Sequence, residues 1–131
     1  MKKTTQFLRF FVVIILFTSV NACSADAQNV LAPAAFEAKI TTPNVQLVDV
    51  RTPQEFANGH LEKAQNINFN DPEFKQKMAL LDQSKPIAVY CGVGGRSGKA
   101  AKTLTELGFI EIIDLAGGIT AWSAANKKIV K

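Results

Sequence analysis

The apolar positions along this chain fall into short runs that alternate with segments of helical spacing. Val45 to Val50 is an apolar run bounded by polar residues, the pattern of a buried strand. Pro86 to Tyr90 and Phe109 to Leu115 read the same way, and Val30-Leu31 and Ala64 to Asn68 read as briefer strands. Between them, Pro33 to Ile40 places Phe36 and Ile40 at helical spacing, and Asp71-Pro72 opens a helix with Phe74, Met78 and Leu81 on one face. Thr52-Pro53-Gln54-Glu55 is a capping box, with Thr at the cap, Pro at the first helical position and Glu three residues on. It predicts a short helix ending near Gly59. Ser97 is the expected cap of a helix in which Ala100, Ala101, Leu104 and Leu107 share a face and Gly108 supplies the stop. Ile119 to Ala125 completes the set. Strands alternating with helices predict an α/β fold with a mostly parallel sheet, and the chain shows no internal repeat or low-complexity linker.

In such a sheet functional residues gather where strands end and helices begin. Three predicted strand ends carry unusual residues: Asp49-Val50-Arg51, Cys91 to Arg96, and Ala116-Gly117-Gly118. Parallel strands would bring all three to one edge.

The first 27 residues stand apart from this pattern. Lys2, Lys3 and Arg9 precede an unbroken apolar run from Phe10 to Phe17, too short to span a bilayer and laid out as an export signal. Two processing sites are open. Ala25-Asp26-Ala27 is an A-x-A site that would leave residues 28–131 as the domain. Val20-Asn21-Ala22-Cys23 resembles a bacterial lipobox, in which residues 1–22 are the signal and Cys23 is lipidated, although Asn21 is unusual there. Either reading predicts an exported protein, periplasmic or anchored to a membrane by lipid.

Export changes the meaning of the charge. The chain has 15 Lys and Arg against 11 Asp and Glu, but Lys2, Lys3 and Arg9 belong to the leader, which leaves 12 against 11 beyond residue 22. The basic balance is mostly the leader's, so no nucleic-acid partner is indicated. The 131 residues suffice for one modest core. Cys91 then becomes a cysteine with no partner for an internal disulfide, in a compartment where leftover thiols are reactive.

Its surroundings, "YCGVGGRSGKA", resemble a phosphate loop until the spacing is counted. The pattern G-x-x-x-x-G-K-[ST] meets Val93 at its first glycine and Ala100 at its hydroxyl; G-x-G-x-x-G meets Ser97 at its third glycine. Both templates fail. A thiol reading gains instead, because backbone N–H groups in a glycine-rich turn at a helix N-terminus favour negative charge and lower a thiol's pKa. Gly92, Gly94 and Gly95 permit such a turn, and Arg96 offers a fixed cation or a fork for an anion.

Three blocks together resemble the rhodanese-like domains: "LVDVRTPQEFANGHLEKAQNI", "VYCGVGGRS" and "LAGGITAW". The resemblance runs over roughly residues 30 to 125 with the motifs in the family's order. It implies a single rhodanese-like domain with a five-stranded, mostly parallel sheet flanked by helices on both faces. It further implies a sulfurtransferase in which the Cys91 thiolate takes a sulfane sulfur from a small anionic donor, such as thiosulfate or a persulfide, and passes it from a persulfide to a thiol or cyanide. Gly92, Val93, Gly94, Gly95 and Ser97 would hold the persulfide, with Arg96 orienting the loop or the donor. Asp49 and Arg51 would brace the loop by ion pairing.

No metal or organic cofactor is expected. His60 lies in a G-H-L element that looks structural, and Gly117, Gly118 and Trp122 resemble the family's closing motif. Glu55 is read only as a capping residue, and Lys99 and Lys102 as a solvated face. One alternative is a persulfide carrier that delivers sulfur to a protein partner. Another is a cysteine-dependent phosphatase or arsenate reductase, although related phosphatases place five residues between cysteine and arginine and this loop has four.

Overall fold

The computed structural model describes residues 28–131. The predicted leader and Cys23 lie outside the described residues. The elements run β1 (Gln28–Leu31), α1 (Pro33–Ile40), β2 (Gln46–Asp49), α2 (Pro53–Ala57), β3 (Gln65–Asn66), α3 (Phe74–Ala79), β4 (Ile87–Tyr90), α4 (Gly95–Glu106), β5 (Ile112–Leu115) and α5 (Gly118–Ala124). The five strands form one sheet in the order β1-β5-β4-β2-β3, with every pairing parallel. The predicted fold class is the one observed.

Why the strands read as continuous apolar runs follows from the layers. Successive side chains point to opposite faces, so Ile87, Val89 and Cys91 enter one core with Val48, Val50 and Ile112, beneath α3 and α4. Ala88 and Tyr90 enter the other with Leu47, Ile113 and Leu115, beneath Phe36 of α1 and Trp122 of α5. Phe36 and Trp122 meet edge to face at 6.3 Å. Helix α4 buries Ser97, Ala100, Ala101 and Leu104, which lie at intervals of three and four residues. Small alanines let it lie close on the sheet.

The capping box forms as expected: the Glu55 amide donates to Thr52 Oγ1 while Glu55 Oε2 accepts from the Thr52 amide. Element ends differ in places. Phe109 and Ile110 precede β5 rather than belonging to it, and α3 begins at Phe74, after a turn in which Asp71 Oδ1 accepts the Glu73 amide. The expectation that Ser97 caps α4 is not met. Gly94, with φ of 113°, is the N-cap, and Ser97 lies inside the first turn with its side chain buried. Only a residue without Cβ enters that backbone region at low cost, so the helix starts at the glycine and draws Ser97 inward.

Tyr90 ties this sheet to the segment after α2. Its hydroxyl accepts the buried Leu61 amide at 3.0 Å, and burial, with the Asp49 charge, pushes its pKa upward so that it stays neutral. Tyr90→Phe would leave that amide without a partner. The expected outcome is a loss of about 1–3 kcal/mol in urea unfolding with no change in backbone fold by circular dichroism.

Candidate active site

Because all strands are parallel, the ends of β2, β4 and β5 lie on one edge of the sheet, as their sequence positions require. Cys91 follows the last residue of β4 and is 1% exposed. The loop from Cys91 to Gly94 is held from behind by α5: the Ile119 amide donates to Cys91 O at 2.9 Å and the Thr120 amide to Gly92 O at 3.1 Å. This contact needs Gly118. With φ of 59°, a Cβ there would stand 2.5 Å from both carbonyl oxygens, so the Gly-Gly turn exists to let two backbones touch.

With its carbonyls turned toward α5, the loop turns amides toward the sulfur. The Gly94 amide donates to Cys91 Sγ at 3.1 Å, and Ser97 Oγ lies 3.5 Å from the same atom. Burial pushes the thiol pKa up, but the Ser97 hydroxyl and amide and the Gly94 and Val93 amides outweigh it and bring it below its ordinary value of 9.0. These donors sit at the start of α4, where the helix dipole adds to them. Val93 itself points outward and is 72% exposed, so it contributes its amide rather than its side chain. Of the loop glycines, only Gly94 has positive φ, and Gly95 has open space where a Cβ would lie.

Arg96 does not lie free for an anion. Its two terminal nitrogens donate to the two Glu55 oxygens at 2.7 and 2.9 Å. The pair closes one side of the loop and joins α4 to α2. Glu55 therefore does two jobs, capping α2 and fixing Arg96. Sequence reasoning reached only the first, because nothing in linear spacing connects residues 55 and 96. The hydrogen bonds from Arg96 hold the Glu55 carboxyl down at a pKa of about 2.

Asp49 and Arg51 are brought together, yet not on the Cys91 loop as expected. Arg51 donates from Nε and Nη2 to the Asp49 carboxylate and from Nη2 to Gly59 O at 2.7 Å, and its guanidinium lies 5.7 Å from the centre of the Tyr90 ring. The pair braces the turn after α2, because Arg51 also holds the Gly59 carbonyl. His60 stacks on Phe56 at 3.7 Å, its Nδ1 lies 2.9 Å from Phe56 O, and its backbone bridges to Val130. These contacts tie it to α2 and to the C-terminal segment. A cleft of about 400 Å³ lined by Glu55, Asn58, Ile119 and Thr120 opens beside the loop.

The rhodanese-like domain model matches residues 32–125. The chain belongs to this family. Its relatives include the uncharacterized protein YqhL of Bacillus subtilis, 42% identical over 82 residues that make up 63% of this chain and 64% of that protein. The thiosulfate sulfurtransferase GlpE of Shewanella oneidensis is 37% identical over 83 residues, covering 63% of this chain and 80% of that enzyme. Among solved structures, a rhodanese-related protein from Thermoplasma volcanium superposes with a TM-score of 0.69 at 30% identity, over 78% of this chain and 97% of that one.

The Glu55–Arg96 pair has a pH signature. A carboxyl that titrates at about 2 in the fold and near 4.5 when unfolded stabilises the native state fully above pH 4.5, and that contribution fades as pH falls toward 2. Glu55 is 38% exposed in its side chain, so solvent screens part of it. Urea midpoints measured from pH 6 to pH 2 are expected to fall less steeply in Glu55→Gln than in the parent protein.

Proposed function

We propose that this protein is a sulfurtransferase whose Cys91 thiolate attacks the outer sulfur of a small donor, carries it as a persulfide, and yields it to a thiophilic acceptor. The observation that carries this reading is the Gly94 amide on Cys91 Sγ, part of a set of donors that favours a thiolate at the closed end of a short loop. Relatives named thiosulfate sulfurtransferase support the reaction class.

The chemistry is covalent catalysis in two halves. With thiosulfate, the thiolate bonds the sulfane sulfur as the S–S bond of the donor breaks and sulfite leaves with its electron pair. An acceptor such as cyanide or a thiolate then bonds the outer sulfur, and Cys91 leaves as thiolate again. The amides of Gly92 to Ser97 hold the anionic sulfur through both halves. Arg96, tied to Glu55, keeps the loop's width. No metal or organic cofactor takes part in either half.

A persulfide carrier that serves a protein acceptor is the second reading, and exposed Val93 at the loop tip favours it, since an apolar side chain there gives a partner surface something to cover. Export belongs to the same proposal, with Cys23 lipidated or residues 1–27 removed.

Incubation with thiosulfate and cyanide is expected to yield thiocyanate, and Cys91→Ser to abolish it; activity retained in that variant would refute the assignment. After thiosulfate alone, intact mass should rise by about 32 Da on Cys91, and mass gain without cyanide turnover selects the carrier. Palmitate labelling of cells is expected to depend on Cys23 if the lipobox is used, whereas a mature N-terminus at Gln28 identifies the other site.

A further inference from the structure

A second cavity lies away from the Cys91 loop. It has a volume of about 550 Å³ and sits between the end of α1, the start of β2, the turn that follows His60, and α5. It shares no lining residue with the cleft beside the loop. Ile40, Val45, Leu61 and Trp122 form its apolar wall, and all four belong to the core beneath α1 and α5. That size and that wall suit a small ligand with an apolar body.

The rim is charged and almost balanced. Glu37 is paired with Lys127 and Glu62 with Lys128, while Lys63 has no ion-pair partner among the described residues. Lys63 is also held in an unusual place. The Ala64 amide donates to Leu61 O at 3.1 Å, closing a turn in which Lys63 has φ of 67°. Such a turn ordinarily places glycine or asparagine at its third position, because the Cβ of other residues crowds the following carbonyl in the left-handed region. A lysine kept there against backbone preference signals that its side chain is used.

We propose that this cavity binds a small monocarboxylate with an apolar body, the carboxylate paired with Lys63 and the body lying against Trp122 and Val45. One unpaired cation calls for one negative charge. A dianion such as inorganic phosphate would bring a second charge toward Glu37 and Glu62 with no second unpaired cation on the rim to meet it. An uncharged ligand would leave Lys63 unused. The inference goes beyond the reaction proposed for Cys91 and does not depend on it.

Trp122 is the chain's only tryptophan, so its fluorescence reports on this cavity directly. Octanoate is titrated near neutral pH into the parent protein, Lys63→Gly and Lys63→Asn, with octanol as a probe that keeps only the body and acetate as one that keeps only the charge. Both substitutions suit the turn, and circular dichroism checks that the fold is kept. The parent signal is expected to saturate with octanoate, at a half-saturation of about 1 mM. Loss of the charged partner should raise that value about tenfold in both variants. Octanol should bind the parent about tenfold more weakly than octanoate and be unaffected by either substitution. Acetate should give no saturable change. The proposal is overturned if octanoate shows no saturation in the parent up to about 10 mM. It is equally overturned if half-saturation by octanoate is the same in the parent and the folded variants, or if octanol or acetate matches octanoate. None of these readouts involves sulfur transfer, so a failed thiocyanate assay bears only on the function proposed above.

Discussion

The close approach of Gly118 to the backbone of Cys91 and Gly92 is the constraint from which the site follows. Peptide carbonyls and amides point in opposite directions along a tight loop, so a loop that offers amides to an anion must dispose of its carbonyls elsewhere. Here Ile119 and Thr120, at the first turn of α5, accept that task by donating to Cys91 O and Gly92 O. They reach those oxygens only because residue 118 has no Cβ to stand 2.5 Å from them. The last helix of the chain therefore orients the loop, and the Gly94 turn then delivers an amide to the sulfur.

The charged residues near the loop serve this arrangement indirectly. Arg51 is spent on Asp49 and Gly59, and Arg96 on Glu55. Each pair joins segments far apart in sequence or turns the chain sharply, and neither places a free guanidinium against Cys91. The thiolate is favoured by fixed dipoles, which need no counter-ion and do not move as a substrate comes and goes. That division leaves the arginines as braces and the backbone amides as the groups that face the sulfur.

Much of this was legible in the chain before any coordinates. The apolar runs at residues 45–50 and 86–90 marked strands because both faces of a parallel sheet are covered, and Thr52 to Glu55 announced its own helix. Cys91 stood out because its glycine spacing failed the nucleotide templates. What stayed hidden depended on a pair separated in sequence, Glu55 with Arg96. Ser97 was misread for a related reason. Serine before an apolar stripe is the ordinary cap signal, but here the left-handed Gly94 begins the helix and spends the serine hydroxyl on the sulfur side. Linear rules place caps well when the turn before the helix is ordinary, and this turn is shaped by what it holds.

The same geometry bears on phosphate chemistry. An arginine that grips a phosphate uses its planar fork on two oxygens of the ligand. Both terminal nitrogens of Arg96 already hold the Glu55 carboxylate, within 2.9 Å, so a phosphate would have to displace a carboxylate that also caps α2. A sulfur atom carries no oxygens and asks for amides alone. With four residues between Cys91 and Arg96 and the guanidinium held beside Gly92 by Glu55, the proposed preference for one anionic sulfur rests as much on where Arg96 is tied as on how few residues separate it from the cysteine.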